Sequence, residues 1–296
     1  MGHKEETMSM REPAVAGMFY PAEAAALKNQ IESCFKSPGG PGRLPVVNLD
    51  GPRDMVGLVC PHAGYVYSGS VAACGYYFLA EDGLPDTVVI LGPNHRAAYP
   101  SAALTDQRAW LTPFGEVAVD ASLSRHIVKE FPLAEIDPMA HFAEHSLEVQ
   151  LPFLQYLCES ANKSLSIVPI LIGAEAYDNA LEFAEGLGST IADAVRDRNV
   201  LIIASTDFTH YESGESALEK DSQAVSEILA FDENGLLSVV NRVRITMCGV
   251  LPTIVCMTAC RKLGVVGVEK LAYQSSGDVT GDYSEVVGYA SVAFYR

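Results

Sequence analysis

Four short and almost entirely apolar runs recur along the chain and constrain its fold more than any other feature. They lie at residues 56–60, 87–91, 166–172 and 200–204 and are rich in Val, Ile and Leu. None of them alternates between apolar and polar residues, which is typical of strands that are covered on both faces of a sheet. A fifth run, at residues 286–295, predicts a closing strand.

Helical patterns separate these runs, at residues 22–36, 70–80, 147–161, 177–196, 217–231 and 250–263. Strands that alternate with helices form βαβ units, and such units build a parallel sheet with helices on both faces. We therefore predict an α/β fold, a single domain with a mostly parallel central sheet flanked by helices. The Pro/Gly cluster at 38–45 is too short to separate two domains. We expect the domain to span residues 11–296, behind a disordered or tag-like segment at residues 1–10.

Composition and charge exclude several classes of protein. The chain has 296 residues, of which 49% are hydrophobic and 19% charged, as in a globular protein. Its formal net charge of -17 argues against a nucleic-acid surface and against docking on anionic membranes, since both need Lys and Arg. No apolar run reaches the roughly 18 residues of a transmembrane helix, and the chain begins without a signal-peptide core. Seven cysteines form no CxxC pair, so we expect a cytoplasmic protein in a reducing compartment.

Three of the predicted strands end in polar residues that include histidines. His62 follows the first strand, His95 follows the second, and Asp207 with His210 follows the fourth. The carboxyl ends of parallel strands meet at one edge of the sheet, where ligands bind. A single histidine there is usually an ordinary hydrogen-bonded residue, but three at equivalent positions favour a shared site. Because neutral imidazole is the commonest metal ligand, the sequence predicts that this edge can bind a metal.

The spacing of Asp207 and His210 predicts a hydrogen bond between their side chains. The two residues are three positions apart, just past a strand. A carboxylate there would fix the tautomer of the imidazole and raise its basicity, and the histidine could then act as an acid or base. Asp207 is also a suitable helix N-cap or Asx-turn residue, and the residues alone leave that alternative open.

Six ordered motifs resemble the Memo family, from about residue 11 to the end of the chain. They are REPAVAGMFYP, CPHAGYVYSG, LGPNHR, EHSLEVQLPFL, STDFTHY and GDVTGDYSEVVGYASV. The resemblance implies a fold like that of class III extradiol dioxygenases, which are non-haem iron enzymes with an α/β core. It also implies partners, because prokaryotic members often accompany a radical-SAM protein and an AMMECR-domain protein, as protein B of the AmmeMemoRadiSam system.

The resemblance further implies a ligand set for a single metal ion, described in the family as iron or copper. Carried over by motif, the ligands are His62, His95 and Cys248. Only the family pattern points to Cys248, since the residues alone favour a buried cysteine that acts as a small hydrophobe. The dioxygenases have a carboxylate where this chain has Cys248. A thiolate is softer and suits Cu(I), zinc or a different iron chemistry, so the resemblance does not carry over the ring-opening of catechols.

The same resemblance implies three catalytic residues beside the metal. His210 takes the place of the dioxygenase catalytic base, and Asp207 belongs to the same motif. His145 lies in EHSLE, a further motif of the family, and with Glu144 is expected to line the same cavity. We therefore expect His210, Asp207 and His145 to be the catalytic residues, with His210 as the acid–base group and Asp207 orienting it.

Two other constellations have simpler explanations. Residues 141–145, HFAEH, fit the inverted zincin motif, which needs both histidines on one helix. A proline upstream and a helix start near Ser146 place them in a loop or a first turn, which argues against a peptidase. Cys256 and Cys260 share one face of an apolar helix and are expected in the core. Cys60 is expected to be buried in the sheet.

Two functions follow from these expectations. The first is a metal-dependent oxidoreductase-type enzyme of unknown substrate that works with the radical-SAM partner. The second is a non-enzymatic binding or adaptor protein that reuses a dioxygenase-like pocket for a small molecule or a peptide. Eukaryotic relatives are linked to signalling, and one fold can host unrelated functions. We favour the enzyme, and either function is compatible with a homo-oligomer.

Overall fold

The structure, a computed structural model, describes residues 10–50 and 52–296. The strands are β1 (Met10–Arg11), β2 (Met55–Cys60), β3 (Thr87–Pro93), β4 (Ala102–Leu104), β5 (Ala109–Thr112), β6 (Gly115–Val119), β7 (Ala134–Ile136), β8 (Ser166–Ile172), β9 (Val200–Ser205), β10 (His210–Glu212), β11 (Gly267–Ser275) and β12 (Val286–Tyr295). The helices are α1 (Ala24–Lys36), α2 (Tyr65–Asp82), α3 (Ala121–Glu130), α4 (Leu151–Ser160), α5 (Ala180–Val195), α6 (Gly214–Leu229), α7 (Glu233–Val243), α8 (Val250–Lys262) and α9 (Gly277–Thr280). Two 3₁₀ helices, Glu148–Gln150 and Ala174–Asn179, precede α4 and α5.

The described strands form one mixed sheet with a parallel centre. Its main path runs β1-β5-β6-β8-β3-β9-β2-β12-β10, while β11 pairs with β12, and β4 pairs with β7 and β8. The four central strands β8, β3, β9 and β2 are parallel to one another, and β6 joins β8 in parallel. Antiparallel strands around β12 close one side of the sheet. The predicted single-domain α/β fold with a largely parallel sheet is therefore confirmed.

Alternate residues of the central strands face two separate hydrophobic cores, which explains why these strands have no polar positions. Val89 and Leu91 of β3 belong to the core that contains residues of α5 and α8. Val88 and Ile90 belong to the core that contains residues of α1, α2 and α4. All four side chains are fully buried, so helices cover both faces of the sheet. None of the helices that the structure describes is long and apolar enough to span a bilayer.

The predicted elements are present, but several of their ends differ. The helix predicted at 70–80 is longer and begins at Tyr65, because its N-cap residue, Gly64, has no capping side chain that would mark the start in the sequence. The helix predicted at 147–161 begins as a 3₁₀ turn, and Pro152 lies in the first turn of α4, where it needs no N–H partner. The pattern did not predict β4 to β7, which have only three to five residues each.

The expected disordered or tag-like segment at residues 1–10 lies outside the described residues, apart from Met10. Met10 pairs in parallel with Ala109 at the edge of the sheet. The described chain therefore enters the sheet one residue before the start expected for the domain.

A buried ion pair ties the beginning of the described chain to the segment before α4. Arg11 Nη1 lies 2.7 Å from Glu148 Oε2, and the two side chains are 1% and 0% exposed. Glu148 also accepts hydrogen bonds from the backbone N–H groups of Ala14 and Val15 and from the hydroxyl of Tyr20. These donors satisfy both carboxylate oxygens, which a buried charge requires.

The guanidinium of Arg11 also fixes the loop that precedes Glu148. It donates to the carbonyl oxygens of His141 and Glu144, at 2.7 and 2.6 Å. Its planar group lies over the ring of Trp110, 4.2 Å from the centroid. The N-terminal segment and this loop are therefore held together as one unit.

Removing one partner of this ion pair should be strongly destabilising. Arg11→Met leaves Glu148 buried without its charge partner and should lower the free energy of unfolding by about 3–5 kcal/mol. Adding Glu148→Gln removes the second charge and should restore part of the loss. Chemical denaturation measures both variants.

The exposed pair of Arg125 and Asp106 provides the control, because Arg125→Met should change the stability by less than about 1 kcal/mol. A loss in the Arg125 variant as large as that in Arg11→Met would contradict the assignment.

Candidate metal centre

Three parallel strands deliver the predicted site residues to one edge of the sheet. His62, His95 and Asp207 each lie two residues beyond the end of a strand, which is β2, β3 and β9 respectively. Because β9 pairs with both β2 and β3, these residues become neighbours. Cys248 reaches the same place from the loop before α8, two residues ahead of the helix.

His62, His95 and Cys248 form a group that could hold a metal ion. Their ligand atoms all lie within 4.8 Å of one another. Cys248 Sγ is 3.2 Å from His62 Nε2, and the two imidazole rings are nearly perpendicular with centroids 5.4 Å apart. His62 is buried, Cys248 is half-buried and His95 is exposed, so the group is accessible from the His95 side. The structure therefore brings together the three ligands that the family resemblance implied.

The hydrogen bonds of Ser205 fix the tautomer of His62. Ser205 Oγ donates its one proton to the carbonyl oxygen of Ser146 at 2.6 Å and accepts a hydrogen bond from Gln150 Nε2 at 2.8 Å. His62 Nδ1 lies 3.0 Å from the same oxygen. Since the hydroxyl has no second proton, Nδ1 must be the donor. The lone pair of His62 is then on Nε2, the nitrogen that faces Cys248.

Glu144 fixes the tautomer of His95 in the same way. Its Oε2 accepts a hydrogen bond from the His95 backbone N–H at 2.7 Å, and its Oε1 lies 3.0 Å from His95 Nδ1. An ionised carboxylate can only accept, so Nδ1 carries the proton and Nε2 is free. Burial alone would raise the pKa of Glu144, but hydrogen bonds from His145 and His95 outweigh it and hold this pKa well below its usual range. Both imidazoles therefore offer Nε2 as a ligand, supported from behind by the protein.

His145 lies against both of these histidines but belongs to a different group. It forms a second candidate metal group with His95 and Glu144. However, the oxygens of Glu144 already accept hydrogen bonds from the backbone of His95, His145 and Ser146, and Oε1 lies 3.1 Å from His145 Nδ1. The His145 ring stacks on His95 at 4.8 Å and packs against Phe19 at 4.7 Å. We interpret this second group as a hydrogen-bonded support of the first.

The predicted hydrogen bond between Asp207 and His210 is wrong. Asp207 is buried, and its Oδ1 accepts from the backbone N–H of His62 at 2.8 Å, while Oδ2 lies 4.0 Å from His62 Nε2. The backbone N–H of Asp207 donates to Cys248 Sγ at 3.2 Å. Asp207 therefore positions two of the candidate ligands, and it does not fix the ring of His210.

Backbone carbonyls hold the imidazole of His210 instead. His210 Nδ1 lies 2.6 Å from the carbonyl oxygen of Phe208 and 3.0 Å from that of Thr246. Both oxygens are acceptors, so Nδ1 carries the proton and Nε2 is free to accept one. The sequence predicted that the carboxylate of Asp207 would accept a hydrogen bond from this ring. Two backbone carbonyl oxygens accept it instead.

The protonation states of the group are compatible with metal binding. Burial, followed by the neighbouring imidazoles, lowers the pKa of His62 well below its usual range and keeps the ring neutral. Burial, with a smaller contribution from Asp207, raises the pKa of the Cys248 thiol. Among the described residues, no Lys or Arg side chain is hydrogen-bonded to His62, His95, Cys248 or Asp207. The neutral imidazole of His62 can bind a metal ion directly, and a bound ion would deprotonate the thiol, so the donor set fits a metal.

The HFAEH segment does not have the geometry of an inverted zincin. Residues 141–143 form a turn and residues 144–145 lie in a loop, so the two histidines do not share a helical face. The ring of His141 is fully buried against Trp110, 5.4 Å between centroids. The inverted zincin reading of this segment is therefore wrong. Cys60, Cys256 and Cys260 are fully buried, as predicted.

Sequence reasoning missed two residues on the buried side of His62, Ser205 and Gln150. Ser205 ends a buried strand and Gln150 lies in a 3₁₀ turn, and both are fully buried. A polar residue at the end of an otherwise apolar strand was the one signal that could have identified Ser205.

Comparison with known proteins identifies relatives along almost the whole chain. A family model described as Memo-like protein matches residues 11–293. A MEMO1 family protein of Methanopyrus kandleri is 46% identical over 286 residues, which is 97% of this chain and 99% of the relative. MEMO1 family proteins of Methanothermobacter thermautotrophicus and Sulfurisphaera tokodaii are 42% and 43% identical, each over 96% of this chain and over 100% and 99% of their own lengths.

Removing the acceptor behind His62 should weaken metal binding without removing a ligand. Ser205→Ala takes away the oxygen that holds Nδ1–H, and loss of such a support typically reduces metal affinity about 10- to 100-fold. Competition titration with a chelating indicator measures the affinity. Ser291→Ala is the matched control, because Ser291 is equally buried in the same sheet and its hydroxyl has no hydrogen-bond partner. Equal affinity in Ser205→Ala and wild type would contradict the role of Ser205.

His141 should make the stability of the fold depend on pH. Burial, with a further contribution from Arg11, lowers the pKa of His141 from 6.5 to about 3. Below about pH 6.5 the unfolded chain therefore binds a proton that the folded chain excludes. The contribution of the neutral His141 to the free energy of unfolding is fully present above about pH 6.5. It is lost as the pH falls from there towards 3, by up to about 1.4 kcal/mol per pH unit.

Denaturation curves across this range should show a shallower pH dependence for His141→Phe than for wild type. His126→Phe is the control, because His126 is exposed on α3. An unchanged slope in the His141 variant would show that this proton is not excluded from the fold.

Proposed function

The chain belongs to the Memo family, and from this membership and the geometry above we propose that it is a metal-dependent enzyme of the oxidoreductase type. A single iron or copper ion would be held by His62, His95 and Cys248. The observation that carries the proposal is the pair of matched tautomers, since each imidazole is held through Nδ1 and has Nε2 free as a ligand. Nε2 of His62 lies 3.2 Å from the thiol of Cys248. The bound ion would supply Lewis acidity or one-electron redox chemistry.

The donor set supports a soft or borderline metal. Two imidazole nitrogens and one thiolate suit copper, iron or zinc and are poor ligands for magnesium or calcium. Three protein ligands leave a coordination position for a substrate, as in other catalytic metal sites. The exposure of His95 is consistent with access to that position.

His210 and His145 are the groups proposed to handle protons. His210 has its Nδ1–H fixed by two carbonyl groups, so Nε2 can take a proton from the substrate and return it. His145 has its Nδ1 beside Glu144 and presents the same kind of free nitrogen next to His95. Asp207 takes part by holding the backbone of His62 and the thiol of Cys248.

The family resemblance also supports proposed partners. We propose that a radical-SAM protein and an AMMECR-domain protein act with this chain on a common small-molecule or peptide substrate. The relatives match almost the whole of this chain and of their own lengths. The proposal therefore concerns the whole chain and not one segment of it.

Metal analysis of anaerobically purified protein tests the metal centre. Wild type should contain about one iron or copper per chain, and Cys248→Ser should lose it because the thiolate ligand is absent. Cys256→Ser is the control, since Cys256 is buried in α8 away from the group and should leave the metal in place. Absence of metal from wild type, even after reconstitution, would contradict the proposal.

A test of the catalytic role of His210 needs a variant that still binds the metal. His210→Gln should retain the metal and lower reductant-dependent oxygen uptake by about 10²- to 10⁴-fold, the usual effect of losing an acid–base group. A metal-loaded wild type without redox activity, together with equal capture of the radical-SAM partner by metal-free protein, would favour the adaptor function.

A further inference from the structure

A buried carboxylate outside the metal group, Asp221 on α6, holds the segment that follows β9. Its side chain is fully buried, and no Lys, Arg or His among residues 10–50 and 52–296 forms an ion pair with it. Asp221 Oδ1 accepts hydrogen bonds from Thr209 N and Thr209 Oγ1, at 3.0 and 2.6 Å. Its Oδ2 accepts one from the hydroxyl of Tyr273 at 2.8 Å. Three hydrogen bonds thus compensate a charge that would otherwise be costly to bury.

A glycine on the neighbouring strand leaves room for this carboxylate. A Cβ atom at Gly288 of β12 would lie 1.9 Å from Asp221 Oδ2, so only glycine fits there. Gly288 in turn donates its N–H to the carbonyl oxygen of Thr209 and accepts from the N–H of Phe208, both at 2.9 Å. Thr209 is therefore clamped from α6 on one side and from β12 on the other.

The clamped residue, Thr209, lies two positions after Asp207, which is hydrogen-bonded to two of the candidate ligands. The N–H of Asp207 donates to Cys248 Sγ, and the N–H of Cys248 donates to the carbonyl oxygen of Asp207, both at 3.2 Å. The carboxylate of Asp207 holds the N–H of His62. A shift of the backbone at Thr209 would therefore move both the thiol and the first imidazole.

We propose that Asp221 is a positioning residue of the metal centre, which fixes residues 206–210 so that Asp207 orients Cys248 and His62. The proposal rests on the metal centre described under the proposed function. Packing of α6 against the core does not by itself require a buried carboxylate, and the proposal gives this carboxylate a function.

Cobalt(II) is a suitable probe because a thiolate ligand gives a charge-transfer band that depends on the Co–S geometry. Asp221→Ala leaves both donors of Thr209 unpaired. It should weaken Co²⁺ binding by about 10- to 100-fold and shift the band. Asp221→Asn should stay within about threefold of wild type, because its oxygen still accepts both bonds from Thr209 and its amide can donate to Tyr273.

Two further variants separate positioning from stability. Tyr273→Phe removes only the hydrogen bond to Oδ2 and should lower the thermal stability while leaving the Co²⁺ affinity and the band unchanged. Thr209→Val removes only the hydroxyl bond to Oδ1 and should give a milder form of the Asp221→Ala effect. This variant also replaces Asp221→Ala if the latter does not fold.

The outcomes distinguish this proposal from the one on which it rests. If Thr209→Val and Asp221→Ala lose stability but bind Co²⁺ with wild-type affinity and the wild-type band, Asp221 is only structural and the proposal is overturned. If wild type binds no Co²⁺, the metal centre fails, and amide hydrogen exchange then decides on the clamp. Faster exchange at Asp207 and Cys248 in Thr209→Val than in Tyr273→Phe would support it, and equal exchange would overturn it.

Discussion

Glu144 lies fully buried between two imidazoles, and its carboxylate stays ionised there because it accepts hydrogen bonds from both. This one group sets the tautomer of His95 and holds the ring of His145 beside it. The backbone carbonyl oxygen of Glu144 accepts a hydrogen bond from the guanidinium of Arg11. Arg11 also forms the buried ion pair with Glu148. The position of an exposed ligand therefore depends on a charge network that extends to the start of the described chain.

Each candidate ligand is supported by a different part of the fold. Ser205 at the end of β9 holds His62, Glu144 in the loop before α4 holds His95, and the Asp207 peptide unit holds Cys248. In each case the support comes from the buried side, so the free donor atom faces the shared space. A rigid sheet with two covered faces provides the geometry that such a preorganised site needs.

The sequence predicted the central strands of the sheet and two of the three ligands, and the reasons are physical. Strands buried on both faces have no polar positions, so a histidine just beyond them stands out, as His62 and His95 do. Cys248 comes from a loop 186 residues from His62, and only the family resemblance pointed to it. The bond between Asp207 and His210 was predicted wrongly because spacing cannot show that carbonyl groups lie closer. Asp221 was not predicted, since an acidic residue on a surface helix usually faces solvent.

X-ray absorption spectroscopy of the reconstituted iron protein would test the central claim most directly, because it identifies the atoms bound to the ion. The arrangement of His62, His95 and Cys248 predicts a first shell with one sulfur and two imidazole nitrogens. Cys256→Ser should keep this shell, and Cys248→Ser should retain no bound iron. A shell without sulfur in wild type, or one that keeps its sulfur in Cys248→Ser, would contradict the account.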